Sequence, residues 1–345
     1  VPLPRARATA FALGVAALGG EAGATVIFNN VGLAEGSRWD AAPRSVPILG
    51  ERSLDGGLRY SVQGGSYAAY RDLFTWAIQP EVDAFQAAVE AAFTAWESID
   101  PVTGLGTSLF FTPDLGRPVV GPGGSLPFNA RGAEIDLLAY ADGFFWDEGD
   151  PGLRAEAFFL SSSPTTVTLT SGTTGYAGRA IDGADIKLNS NPEALWTLDW
   201  FQIILTHEIG HALGFGDVDF PPTSLSFIDD DFDGSSSAAA FATLTNSWAL
   251  LVDPYDPSAS PLALYAVADG DPGFDTFGVN ILMESHIHPD FLGLDPPLQN
   301  DDYGGRQFLY PFVPEPGTVL LLAFAAGTFV QSSRLGARAL RRSGG

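Results

Sequence analysis

The order of hydrophobic patterns along this chain predicts an α/β (α+β) fold, a twisted sheet packed on two long helices. Three observations carry the prediction. Leu58, Tyr60 and Val62 alternate with Arg59 and Ser61, the period of a half-buried strand. Val82, Phe85, Val89, Ala92, Phe93 and Trp96 then recur at helical spacing. Further on, "WTLDWFQIILTHEIGHAL" (196–213) is apolar almost all round, which marks a second helix at the centre of the protein rather than on its surface.

The elements follow in order. "GGLRYSV" (56–62) reads as the first strand and "VDAFQAAVEAAFTAWESI" (82–99) as the first long helix. "AEIDLLAY" (133–140), "TTVTLTSG" (165–172) and "ADIKLNS" (184–190) read as strands set between Gly-rich and Ser-rich loops. The second long helix follows them.

Composition bounds what such a fold can do. Hydrophobic residues make up 46 % of the 345, enough for a packed core and too many for a disordered chain. The formal net charge of −24 argues against a nucleic-acid partner, because phosphate binding needs the opposite sign. Cysteine is absent, which excludes disulfides, thiolate metal sites and a cysteine nucleophile.

Both ends read as addresses. Residues 1–24 have the parts of a secretory signal peptide: Arg5 and Arg7, an apolar run from Ala8 to Leu18, and Ala22-Gly23-Ala24 as a small-residue cleavage site. Residues 312–345 hold Pro314-Glu315-Pro316, an apolar run from Val319 to Val330 and four arginines. That run is shorter than the roughly 20 residues that span a bilayer comfortably, so contact with the membrane is expected to be transient. The three parts, in this order, resemble the PEP-CTERM sorting signal of Gram-negative bacteria. The resemblance implies export, handling by an exosortase-type machinery, and a destination at the cell surface or in the extracellular polymer matrix.

The stretch "LTHEIGHALGFGDVDF" (205–220) carries the chemistry. His207 and His211 are four residues apart, so on a helix both imidazoles leave the same face and can hold one Zn²⁺. Glu208 is offset around the helix, placed to reach a water at the metal as general base without being a ligand. Gly214 can take the left-handed conformation that ends a helix, and the turn brings Asp217 back toward the same metal as third ligand. Asp219 competes for that position at a spacing two residues longer. An apolar helix that buried these polar groups with no metal to satisfy them would be costly.

With the string His-Glu-x-x-His-x-x-Gly-x-x-Asp in place, the chain resembles the metzincin metalloproteases, and among them the matrixins. "NPEALWTLDWFQIILTHEIGHALGFG" (191–216) is similar to the matrixin approach to the active-site helix, and Met283 in "NILMES" to the Met-turn that underlies the metal. "PLQNDDYGGRQFLYP" (297–311) is similar to the closing C-terminal helix. The resemblance implies a metzincin-like catalytic domain over residues 56–311. Its sheet would be mainly parallel with an antiparallel edge strand, and a third helix would stand at the C-terminus. Residues 25–55 are then an N-terminal extension and residues 219–279 an acidic insert. The implied activity is that of a monomeric zinc metalloendopeptidase acting on protein or peptide substrates, with Glu208 as its base. An Asp in place of the usual third histidine is a departure, and it predicts a more alkaline activity profile than an Asp217→His form would have.

Two features leave alternatives open. Asp229, Asp231, Asp233 and Gly234 reproduce the first half of a Ca²⁺ loop, but position 240 is alanine where a closing glutamate is expected. The loop reads either as a calcium site or as a simply acidic segment. His286 and His288 follow Met283 closely, either within reach of substrate or transition state or on a solvated loop. A rival reading of the whole chain is a non-catalytic surface or matrix protein that retains the fold.

Overall fold

A computed structural model describes residues 25–27, 37–101, 104–121, 131–141, 154–161, 165–168, 176–216, 227–229, 235–236, 239, 263–265, 282–283, 292, 297–298 and 300–310. The elements, in order, are β1 (Thr25–Ile27), β2 (Ser37–Arg38), β3 (Ser45–Val46), β4 (Gly50–Glu51), β5 (Leu58–Val62), α1 (Tyr67–Arg71), α2 (Val82–Glu97), β6 (Phe111–Pro113), β7 (Ile135–Tyr140), β8 (Ala155–Ser161), β9 (Thr165–Val167), β10 (Tyr176–Asn189), α3 (Leu198–Ala212), β11 (Phe215–Gly216), β12 (Phe227–Asp229), β13 (Ala263–Tyr265) and α4 (Asn300–Leu309). The predicted signal peptide (1–24) and sorting tail (312–345) lie outside the described residues.

The main sheet runs β2-β10-β7-β5-β6, with β8 and β9 paired to β10. Every pair along that path is parallel, and β8 and β9 are antiparallel. The class is therefore α/β with a mostly parallel central sheet and a few helices. β10 is long because both its faces are covered. Ala184, Ile186 and Leu188 are buried in the apolar core, and the intervening Asp185, Lys187 and Asn189 are buried as well. Lys187, the only lysine, pairs with Glu156 of β8 at 2.8 Å and lies over the rings of Tyr140 and Phe158.

The two long helices share one core with the sheet. Phe93 of α2 stacks on Tyr60 of β5 at 4.0 Å, and Phe85 of α2 meets Phe201 of α3 at 5.0 Å. The Trp96 indole donates to the Thr206 carbonyl at 2.9 Å, which fixes α2 against the middle of α3. α4 packs against the same, C-terminal end of α2: Arg306 donates to the carbonyls of Trp96 (3.0 Å) and Ser98 (2.5 Å), where α2 stops.

Residues 25–55 contribute to all three sheets, β3 and β4 pairing with each other. β2 pairs with β10, and β1 lies between β11 and β12 in a small antiparallel sheet of order β11-β1-β12-β13. Arg38, Trp39 and Arg52 are buried. Of the acidic insert, β12 and β13 are described, and they pair with each other. Among the described residues no helix is long and apolar enough to cross a membrane.

Candidate metal centre

α3 starts where Thr197 caps it, its hydroxyl accepting from the Trp200 N–H at 3.3 Å, with Asp199 favourably placed in the first turn. It ends at Gly214, whose φ of +103° is the left-handed conformation expected of it. His207, Glu208 and His211 thus occupy one regular stretch, and His207 and Glu208 are buried at 5 % and 4 % exposure.

The orientation of the two rings is determined by carbonyl groups. His207 Nδ1 lies 2.7 Å from the Leu282 carbonyl and His211 Nδ1 lies 2.9 Å from the Phe215 carbonyl. A carbonyl oxygen only accepts, so each Nδ1 carries the hydrogen and each neutral ring keeps its lone pair on Nε2. Those two Nε2 atoms stand 3.0 Å apart, with the rings at 89° to each other. Lone pairs this close repel unless a proton or a metal cation lies between them. Two imidazoles on one tetrahedral zinc, with Zn–N near 2.0–2.1 Å, place their nitrogens about 3.3 Å apart. The donor set and its spacing fit zinc, and the carbonyls behind the rings are the partners that metal-binding histidines use.

Met283 is wholly buried beneath this helix. A Cβ built on Gly210 would overlap the Met283 sulfur and stand 2.8 Å from Trp96 Cζ2. The glycine between the two histidines therefore lets Trp96 and Met283 press directly on the helix backbone. The residue before Met283 supplies the carbonyl that orients His207, so the two predicted parts of the site meet here.

No protein-family model matches the chain, and no curated protein does either. The site rests on its own geometry. Among the described residues no group of three or more His, Cys, Asp or Glu side chains is arranged to hold a metal ion. The candidate third ligands Asp217 and Asp219 lie outside the described residues, as do Asp231, Asp233, His286 and His288. Asp229 is described through its backbone, as the last residue of β12. Sequence reasoning did not single out Trp39 or Tyr310, which donate to carbonyls where α3 ends. They are 173 and 97 residues from those carbonyls, and no local pattern announces such a contact.

Proposed function

We propose that this chain is an exported, surface-sorted zinc metalloendopeptidase of the metzincin type, hydrolysing peptide bonds in extracellular proteins. One observation carries the reading: two imidazoles with both Nδ1–H groups committed to carbonyls turn their Nε2 lone pairs on one point, beside a buried glutamate.

His207 and His211 would hold the metal through Nε2, with Asp217, outside the described residues, as the expected third ligand. Zinc, when bound, supplies a Lewis acid that polarises a scissile carbonyl and makes water acidic enough to attack it near neutral pH. Glu208 accepts the proton of the attacking water on its carboxylate and delivers it to the leaving nitrogen as the C–N bond breaks. The Leu282 and Phe215 carbonyls hold the histidine rings at the required tautomer, and Met283 supports the helix from below. A buried carboxylate directly after the first histidine is what this chemistry needs, whereas a site used only for structure has no use for a base.

The test compares the native full chain with Glu208→Gln on a mixed peptide library, with zinc content measured on both. Both proteins are expected to hold one zinc, and the variant to lose at least about a hundredfold in hydrolysis. Zinc in both with no cleavage by either would replace this reading with that of a non-catalytic surface protein.

A further inference from the structure

At the end of α3, two carbonyls accept from side chains of distant segments. The Leu213 N–H reaches the carbonyls of Ile209 and Gly210 at 3.0 Å, and the Gly214 N–H reaches that of His211 at 2.9 Å. Among the described residues, the next two carbonyls accept from side chains. That of Ala212 accepts from the Trp39 indole Nε1–H at 3.0 Å, and that of Leu213 from the Tyr310 hydroxyl at 2.6 Å. The two donors are themselves joined, because the Trp39 backbone N–H donates to the Tyr310 oxygen at 3.1 Å. Both donor side chains and both acceptor residues are buried, where a hydrogen bond holds its geometry without competition from water.

The same turn carries the Phe215 carbonyl that orients His211. It is seated on the strand that leads to Trp39: a Cβ on Gly214 would overlap the Ser37 carbonyl oxygen. Arg38 ties that strand to the end of α4, donating to the carbonyls of Phe308 at 3.2 Å and Leu309 at 3.4 Å, next to Tyr310. Burial raises the Tyr310 hydroxyl above its ordinary pKa, so it remains a donor throughout the working pH range.

We propose that Trp39 and Tyr310 are positioning residues for His211, a coupled indole and phenol that fix the turn leaving the metal-binding helix and hence the direction of the histidine's Nε2. The inference rests on the zinc reading above. It makes residues 37–39 and the end of α4 working parts of the metal site, although neither touches the metal.

The experiment measures zinc affinity of the full chain by competition with a chromophoric chelator, for the native protein, Tyr310→Phe, Trp39→Phe and Tyr60→Phe. The last removes a buried hydroxyl bonded to Tyr67 at 2.9 Å, on strand β5, and serves as the control for lost stability alone. Tyr310→Phe and Trp39→Phe are each expected to weaken zinc binding by about tenfold and to alter the visible spectrum of the cobalt-substituted protein, with Tyr60→Phe binding as the native chain does. Losses below about threefold in both variants, alongside thermal destabilisation like that of Tyr60→Phe, would overturn the inference. Should Trp39→Phe fail to fold, Tyr310→Phe decides the matter, since it removes a single oxygen. A native chain that binds no zinc at all would overturn the proposed function itself, and this inference with it.

Discussion

At the scale of single residues, Asp136 stores a pH dependence separate from the candidate metal centre. Its carboxylate accepts from the Ala133 N–H at 2.9 Å and the Val120 N–H at 3.4 Å, in a space that exists only because residue 132 is glycine. Burial outweighs those hydrogen bonds and the pull of Arg52 and Arg117, and pushes the group from its ordinary 3.8 up to about 7. The folded chain therefore keeps a proton that the unfolded chain gives up. Stability from this residue is full below about pH 4 and is lost as pH rises through about 7. Urea unfolding is expected to show the native protein losing about 2 kcal/mol more than Asp136→Asn between about pH 5 and about pH 8. Equal losses in the two proteins would show that the carboxyl is ionised in the folded state at both pH values.

At the scale of elements, the contact between α2, α3 and the Met283 turn opposes intrinsic preference. Alanine exceeds glycine in helix propensity by about 1 kcal/mol, so Gly210→Ala considered on α3 alone should stabilise it. The structure predicts the reverse. The added methyl group would meet the Met283 sulfur and the Trp96 ring, and the ring cannot turn away while its indole holds the Thr206 carbonyl. A net cost of about 1–3 kcal/mol is expected, read as a lowered denaturant midpoint at unchanged slope. Because Leu282 precedes Met283 and orients His207, the variant should bind zinc more weakly as well. A midpoint at or above the native value would mean that the helices part without strain.

At the scale of the whole molecule, the two histidines stand where α3, the Leu282–Met283 turn and the strap of residues 37–39 converge, so a zinc bound there as proposed would brace the core and its removal should loosen it. A ligand present at about a hundred times its dissociation constant adds about 3 kcal/mol to stability. For a domain of this size that is roughly 5–10 °C in Tm. Calorimetry with and without a chelator should show this drop in the native chain, and His211→Gln should melt at the same temperature in both conditions. A native Tm indifferent to chelation would remove zinc from the account of stability.

How much of this was legible beforehand depended on whether the signal was local. The alternation at Leu58–Val62, the helical period of Val82–Glu97 and the apolar Leu198–Ala212 each became the expected element, because period is a property of neighbours in sequence. The predicted strand at 165–172 is present as Thr165–Val167, with residues 169–172 outside the described set. β8 gave no sign of itself: its buried residues, Ala155 and Glu156, stand side by side, without the alternation that marks a strand. β2 is two residues long and too short to hold a pattern, yet it seats the turn behind the histidine pair. The sequence by itself determined that His207, Glu208 and His211 share one helix and that Gly214 ends it, since spacing and a left-handed turn are decided within a few residues. Tertiary structure alone decided which nitrogen of each histidine is turned toward the other ring and which groups hold the rings there. Those partners, Leu282, Trp39 and Tyr310, reach the helix from 75, 173 and 97 residues away, and such contacts leave no periodic trace in the chain.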